Sequence, residues 1–111
     1  MKTYTDLEQS KKLAKILPAD SADMWWPYYY DIISDTGEYD KEPMLHKPIC
    51  DIDRAIPCWS LAALLNYLRE VDFFPEIDVD ELTIIMNIDN IMVKADNFID
   101  ACVEMILKLH D

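Results

Sequence analysis

The sequence predicts an α+β fold: three helices packed with a β-hairpin and an additional edge strand, in one domain spanning residues 1–111. Three observations predict it. Apolar residues recur at helical spacing behind three start signals, two β-branched segments flank an Asn/Asp turn, and 51% of the chain is apolar. That apolar share lets a chain of 111 residues build a packed core without disulfides or metal.

Thr5 and Glu8 read as a Thr-x-x-Glu capping box, so a first helix is expected to start at Asp6. Leu7, Leu13, Ala14, Ile16 and Leu17 give it an apolar stripe, and Pro18 is expected to stop it. Met24 to Ile33 is rich in strand formers but holds Pro27, and reads as an edge strand or extended segment. Residues 34–56 carry Gly37, Pro43, Pro48 and scattered Asp without periodicity, and read as a long loop. Pro57 fits the first turn of a second helix. Trp59, Leu61, Ala62, Leu64, Leu65 and Leu68 then make this the expected central helix.

Leu82–Met86 and Ile91–Ala95 are β-branched and separated by Asn87-Ile88-Asp89-Asn90, which predicts a hairpin because Asn and Asp tolerate left-handed backbone. Asn97 caps a last helix with Asp100 three residues on, and Glu104 with Lys108 makes an i,i+4 pair on its exposed side. Trp59, Leu61, Leu65 and Leu68 are expected to pack against Cys102, Val103 and Ile106.

Composition excludes several functions. Lys plus Arg number 10 and Asp plus Glu 22, a net charge of −12, so direct binding to nucleic acid or to an anionic membrane surface is not expected. Residues 1–48 carry a net −3 and residues 49–111 a net −9, with no Lys or Arg between Arg69 and Lys94. Glu70, Asp72, Glu76, Asp78, Asp80, Glu81 and Asp89 fall in that gap and form a candidate acidic face. It would suit a cationic partner or simply keep the domain in solution. A single glycine, Gly37, rules out Gly-rich phosphate loops. Lys2-Thr3-Tyr4-Thr5-Asp6 shows no apolar leader, and Leu61–Leu65 is too short to span a bilayer, so the expected setting is cytoplasmic. Cys50, Cys58 and Cys102 are odd in number and lack a Cys-x-x-Cys pair; they read as reduced, packed thiols.

Few constellations carry chemistry. Asp35-Thr36-Gly37 is the tripeptide of dimeric aspartic proteases, whose two carboxylates share a proton. Those enzymes also need a second glycine and a Gly-rich flap, which this chain lacks. The plainer reading is a surface turn with Gly37 at positive φ. Glu76-Ile77-Asp78-Val79-Asp80-Glu81 alternates acid and apolar, as a cation site or a solvated edge strand would, and the edge strand is favoured. His46, Cys50 and Cys58 have no zinc-ligand spacing, and no His is tied to Cys58 as a base. No cofactor and no metal are expected.

Trp25-Trp26-Pro27-Tyr28-Tyr29-Tyr30 is the most unusual run, with five aromatics in six positions. Side chains alternate faces along an extended segment, so one set should join the core and the other meet solvent or a partner. Trp25, Trp26, Tyr28, Tyr29 and Tyr30 are therefore the candidate interaction surface.

Three stretches resemble a known group: Leu17-Pro18 with Ser21–Met24, Ile56–Leu65, and Ala95–Asn97 with Asp100–Ile106 and Lys108-Leu109. They are similar to small uncharacterised proteins of gut Bacteroidales, often encoded in prophage or other mobile regions. The resemblance implies a bacterial cytoplasmic setting and transfers no activity. The expectation is a non-enzymatic protein-interaction module that binds a protein partner or a second copy of itself as a homodimer. The alternative is an acidic inhibitor or DNA mimic aimed at a basic protein.

Overall fold

The computed structural model describes residues 2–46, 54–70, 76–80, 83–88 and 90–110. Among them are three helices, α1 (Leu7–Ala14), α2 (Leu61–Glu70) and α3 (Phe98–Leu109), with a 3₁₀ turn at Ala19–Ser21. Seven strands accompany them: β1 (Met24–Trp26), β2 (Tyr28–Asp31), β3 (Thr36–Tyr39), β4 (Ile56–Cys58), β5 (Glu76–Asp80), β6 (Thr83–Ile88) and β7 (Ile91–Ala95). The expected α+β class is correct. The strands form three small antiparallel sheets, β1 with β4, β2 with β3, and β5-β6-β7, so one hairpin and one edge strand were too few.

The first helix starts one residue later than its sequence signal. Asp6 is the N-cap, accepting from the Gln9 amide at 2.8 Å, while the Gln9 side chain accepts from the Asp6 amide at 3.1 Å. Thr5 is fully buried and turns its hydroxyl inward, accepting from the Trp59 amide at 3.1 Å. The helix closes at Ala14, before Pro18, because the residue preceding a proline avoids helical backbone.

Pro57 lies in β4, not in the first turn of α2. It stands opposite Trp25, whose amide donates to Met44 O at 2.8 Å and whose carbonyl accepts from the Met44 amide at 2.7 Å. Trp25 thus spends both backbone groups on the far side, and the missing N–H of Pro57 leaves no ladder bond unmade. Ser60 caps α2 instead, accepting from the Ala63 amide at 3.2 Å. Trp59 therefore precedes α2 and is fully buried.

The most buried helix is α3, which encloses Ile99, Ala101, Cys102, Val103, Met105 and Ile106. Asn97 caps it, accepting from the Asp100 amide at 2.9 Å. Only Leu64 and Leu68 of α2 are fully buried, while Leu61 and Leu65 flank the core half-buried. The expected contact of α2 with α3 is present, but Leu64 takes the role given to Leu65.

Ile84, Met86 and Ile88 alternate into the core along β6, with Val93 beside them on β7, and α3 covers that face. Ile88 pairs with Ile91, so the β6–β7 connection has two residues, and Asn90 adopts φ 69°. The strand thus runs through Asn87 and Ile88, which the sequence assigned to the turn. β5 is an edge strand of this sheet, as expected, but its apolar Ile77 and Val79 are exposed along with Asp78. No described helix is long and apolar enough to cross a membrane.

Leu64→Ala should cost about 2–5 kcal/mol by removing a fully buried side chain beside α3. Glu104→Ala removes only the exposed 3.6 Å pair with Lys108 and should cost well under about 1 kcal/mol. Urea melts of the two variants measure both; equal midpoints would contradict this assignment of faces.

Candidate interaction surface

The aromatic run divides at Pro27. Trp26 is 5% exposed, and its indole N–H donates to the Ser10 hydroxyl at 3.0 Å. Its ring meets Tyr4 edge-on at 6.0 Å. Trp26 is therefore a core residue and leaves the candidate surface. Trp25 is half-buried, held between Pro57 and Met44. Pro27 is buried, and beyond it the chain leaves the core as the β2–β3 hairpin. Strands β2 and β3 contact mainly each other. The radius of gyration, 15.4 Å, exceeds the roughly 13 Å of a compact chain of about this length, as such a projection requires.

The register Tyr28↔Tyr39, Tyr29↔Glu38, Tyr30↔Gly37 and Asp31↔Thr36 sorts the hairpin into two faces. On the first, Tyr28 and Tyr39 meet edge-on at 4.9 Å. The Arg54 guanidinium lies 5.2 Å from the Tyr28 ring centre and 5.7 Å from that of Tyr30. Lys11 lies 5.5 Å over Tyr39, whose hydroxyl donates to Arg54 O at 3.0 Å. The chain's own cations lie on this face, although Tyr30 stays 41% exposed. The second face carries Tyr29, Asp31, Thr36 and Glu38, all exposed.

The four-residue tip holds the feature that sequence reading missed. Ile32 is 84% and Ile33 97% exposed, side by side at the end of the hairpin. The sequence places them among the strand formers of a Met24–Ile33 edge strand or extended segment. The signal was the Ser34-Asp35-Thr36-Gly37 turn composition just beyond them. Asp35 adopts φ 54° and accepts the Tyr30 hydroxyl, and the Ile33 amide donates to Asp31 at 3.0 Å.

Gly37 does not have positive φ, contrary to expectation. A Cβ at this position would lie 1.9 Å from the Tyr28 hydroxyl and 2.4 Å from Cζ of its ring. The Tyr28 ring lies across the strand in the space a Cβ would take, so a larger residue here would have to displace that ring. Asp35-Thr36-Gly37 thus runs from the exposed hairpin turn into β3.

The acidic candidates are spread over different elements. Glu70 ends α2, where Asn66 donates to it at 3.2 Å. Glu76, Asp78 and Asp80 occupy alternate positions of β5, opposite Asn87, Ile85 and Thr83, and Asp78 is exposed. Asp72, Glu81 and Asp89 lie outside the described residues, as does Cys50. Among the described residues, no three His, Cys, Asp or Glu gather as a metal site would require.

The described thiols are poor nucleophiles. Burial pushes Cys58 up, and hydrogen bonds from Thr5 and Ser10 offset only part of that; burial alone pushes Cys102 up to about 12. An apolar recess of about 260 Å³ lies between Thr3, Leu61, Ile84 and Phe98. Lys2 at its rim is already engaged, 3.1 Å from Asp6 and 2.7 Å from Asp100. Burial raises the Asp100 pKa, but hydrogen bonds from Lys2, Gln9 and Asn97 outweigh it and hold the carboxyl below its ordinary value.

Gly37→Ala should push the Tyr28 ring off the strand and loosen the hairpin by about 1 kcal/mol through the lost edge contact with Tyr39. The measurement is the upfield shift that the ring imposes on the Gly37 Hα protons in the parent. Tyr28→Leu should abolish that shift; its persistence would contradict the packing.

Asp100 has a lowered folded pKa, so its contribution is full above the unfolded value of about 4 and is lost as pH falls through the folded value. The stability gap between the parent and Asp100→Asn should shrink as pH falls below about 4. The gap should stay near or below about 1 kcal/mol, because the pair with Lys2 is partly solvated. A gap constant from pH 7 to pH 2 would contradict the assignment.

Compared with known proteins, the chain matches no protein-family model, no curated protein and no solved structure, so the chemistry of this surface rests on its own residues.

Proposed function

We propose that this chain is a non-enzymatic protein-interaction module whose contact is the β2–β3 hairpin. The observation that carries the reading is the exposure of Ile32 and Ile33, 84% and 97%, on an ordered two-stranded support. Burying each side chain in a partner is worth about 1.5–3 kcal/mol, a gain this fold leaves unused. Tyr29, 54% exposed, extends the apolar area toward the base of the hairpin. The non-enzymatic side is supported by the burial of Cys58 and Cys102, which raises both thiol pKa values and closes off the low-pKa thiolate a cysteine nucleophile needs.

A second reading, an acidic inhibitor or DNA mimic of a mobile element, is favoured by the net charge of −12 and by exposed Asp78 on β5. The two readings place the contact on different elements. Photoreactive benzoylphenylalanine at position 33, 78 or 104, irradiated in cells expressing the chain, separates them. The hairpin reading expects one discrete adduct from position 33 and none from 78 or 104. An adduct from 78 alone supports the acidic inhibitor, and no adduct from 33 sinks the hairpin reading.

A further inference from the structure

We propose that the second face of the hairpin docks a basic segment of a partner protein, with an Arg or Lys side chain seated over Tyr29 between Asp31 and Glu38. This rests on the hairpin being the contact and names the chemistry of what it meets.

The two faces of one hairpin supply the argument. On the first, the rings of Tyr28, Tyr30 and Tyr39 all hold a cation of this chain, Arg54 at 5.2 and 5.7 Å and Lys11 at 5.5 Å. The second face presents the same kind of acceptor: an exposed Tyr29 ring with the Glu38 carboxylate directly across and Asp31 two residues along. Among the described residues, no cation lies on Tyr29, and none pairs with Asp31 or Glu38. Two shallow grooves, about 300 and 190 Å³, are both lined by Tyr29 and Glu38; Asp31 borders the first, and Asp40 with Lys41 the second. A guanidinium is planar, stacks on an aromatic face and donates to a carboxylate in the same plane, which is what this arrangement accepts.

Charge selects among occupants. A second copy of the chain would bring another net −12, and its hairpin would set Asp31, Asp35 and Glu38 against the same carboxylates. An anionic lipid surface is repelled for the same reason. A basic segment beside an apolar cleft instead satisfies Tyr29 with its charge and receives Ile32 and Ile33 in the cleft.

The probe is a labelled octapeptide of alternating arginine and valine, titrated into the full chain at low salt and followed by amide chemical shifts. A glutamate-for-arginine peptide is the control. The expected result is shifts centred on Tyr29, Asp31 and Glu38, absent with the control and weaker as salt rises. Tyr29→Leu and Glu38→Gln should each weaken binding by about threefold to fivefold. Both side chains are exposed, so unchanged urea midpoints would show that the fold survives.

Shifts spread equally over Asp78 and Glu104, and insensitive to both variants, would be unspecific charge attraction and overturn the proposal. So would a failure to bind. Concentration-dependent shifts at Tyr29 in the chain alone would assign the face to a second copy, and shifts at Ile32 and Ile33 with zwitterionic phosphatidylcholine vesicles would assign it to lipid; either result overturns the proposal. Cross-linking from position 33 reports separately. An adduct there without peptide binding leaves the hairpin as the contact and removes only the basic partner.

Discussion

Thr5 and Ser10 are fully buried, with their hydroxyls 2.7 Å apart, and four segments converge on them. The Trp59 amide donates to the Thr5 hydroxyl at 3.1 Å, and the Thr5 amide donates to Trp59 O at 2.9 Å. The Trp26 indole N–H donates to the Ser10 hydroxyl, and the Cys58 thiol donates to Thr5 O at 3.4 Å. These bonds hold the N-terminal segment, α1, β1 and β4 in one arrangement. Among the described residues, no buried side-chain nitrogen or oxygen lacks a partner. Leaving a single buried donor unpaired costs about 1–3 kcal/mol, so the network constrains the position of each segment far more than apolar packing alone would.

The position of the hairpin follows from that network. Trp26 is anchored on Ser10, and Pro27 is buried directly after it. Pro27 O accepts from the Asp40 amide at 3.0 Å, which closes the base of the hairpin. From Tyr28 onward the chain has left the core, so the aromatic alternation expected across the whole run stops at Pro27. The inward set is reduced to Trp26, with Trp25 half-buried on the other side of β1. The three tyrosines obey the pleat of a separate sheet.

What could be read in the sequence is what short-range chemistry decides. Asn97 with Asp100, the strand at Glu76–Asp80 and the left-handed Asn90 are settled by neighbours within a few residues and stand as expected, although Ile77 and Val79 of that strand are exposed. The misreadings involve distant partners. Thr5 fails as an N-cap because Trp59, 54 residues away, takes its hydroxyl. Pro57 reads equally well as a helix start or a strand residue, and only Met44 bonding to Trp25 decides between them. Gly37 looks like a positive-φ glycine, but the Tyr28 ring explains it. On the candidate surface, Tyr29 and Tyr30 were legible as candidate contacts, but strict alternation would turn only one of them outward, whereas both are exposed. Ile32 and Ile33 were not legible, because their strand propensity outweighs a turn composition that begins only at Ser34.

A two-stranded hairpin is marginally stable by itself, so this one needs support other than the core. It has it on one face: the Tyr28 ring across Gly37, the Tyr28–Tyr39 edge contact, and Arg54 over two rings. All of that support lies on one side. The opposite face and the tip are consequently ordered without being covered, which is an unusual state for two isoleucines. An ordered apolar tip loses less conformational entropy on binding than a loose loop would, so more of its burial energy remains for affinity. The asymmetry of the hairpin, internally satisfied on one side and open on the other, links its local packing to the interaction proposed for it.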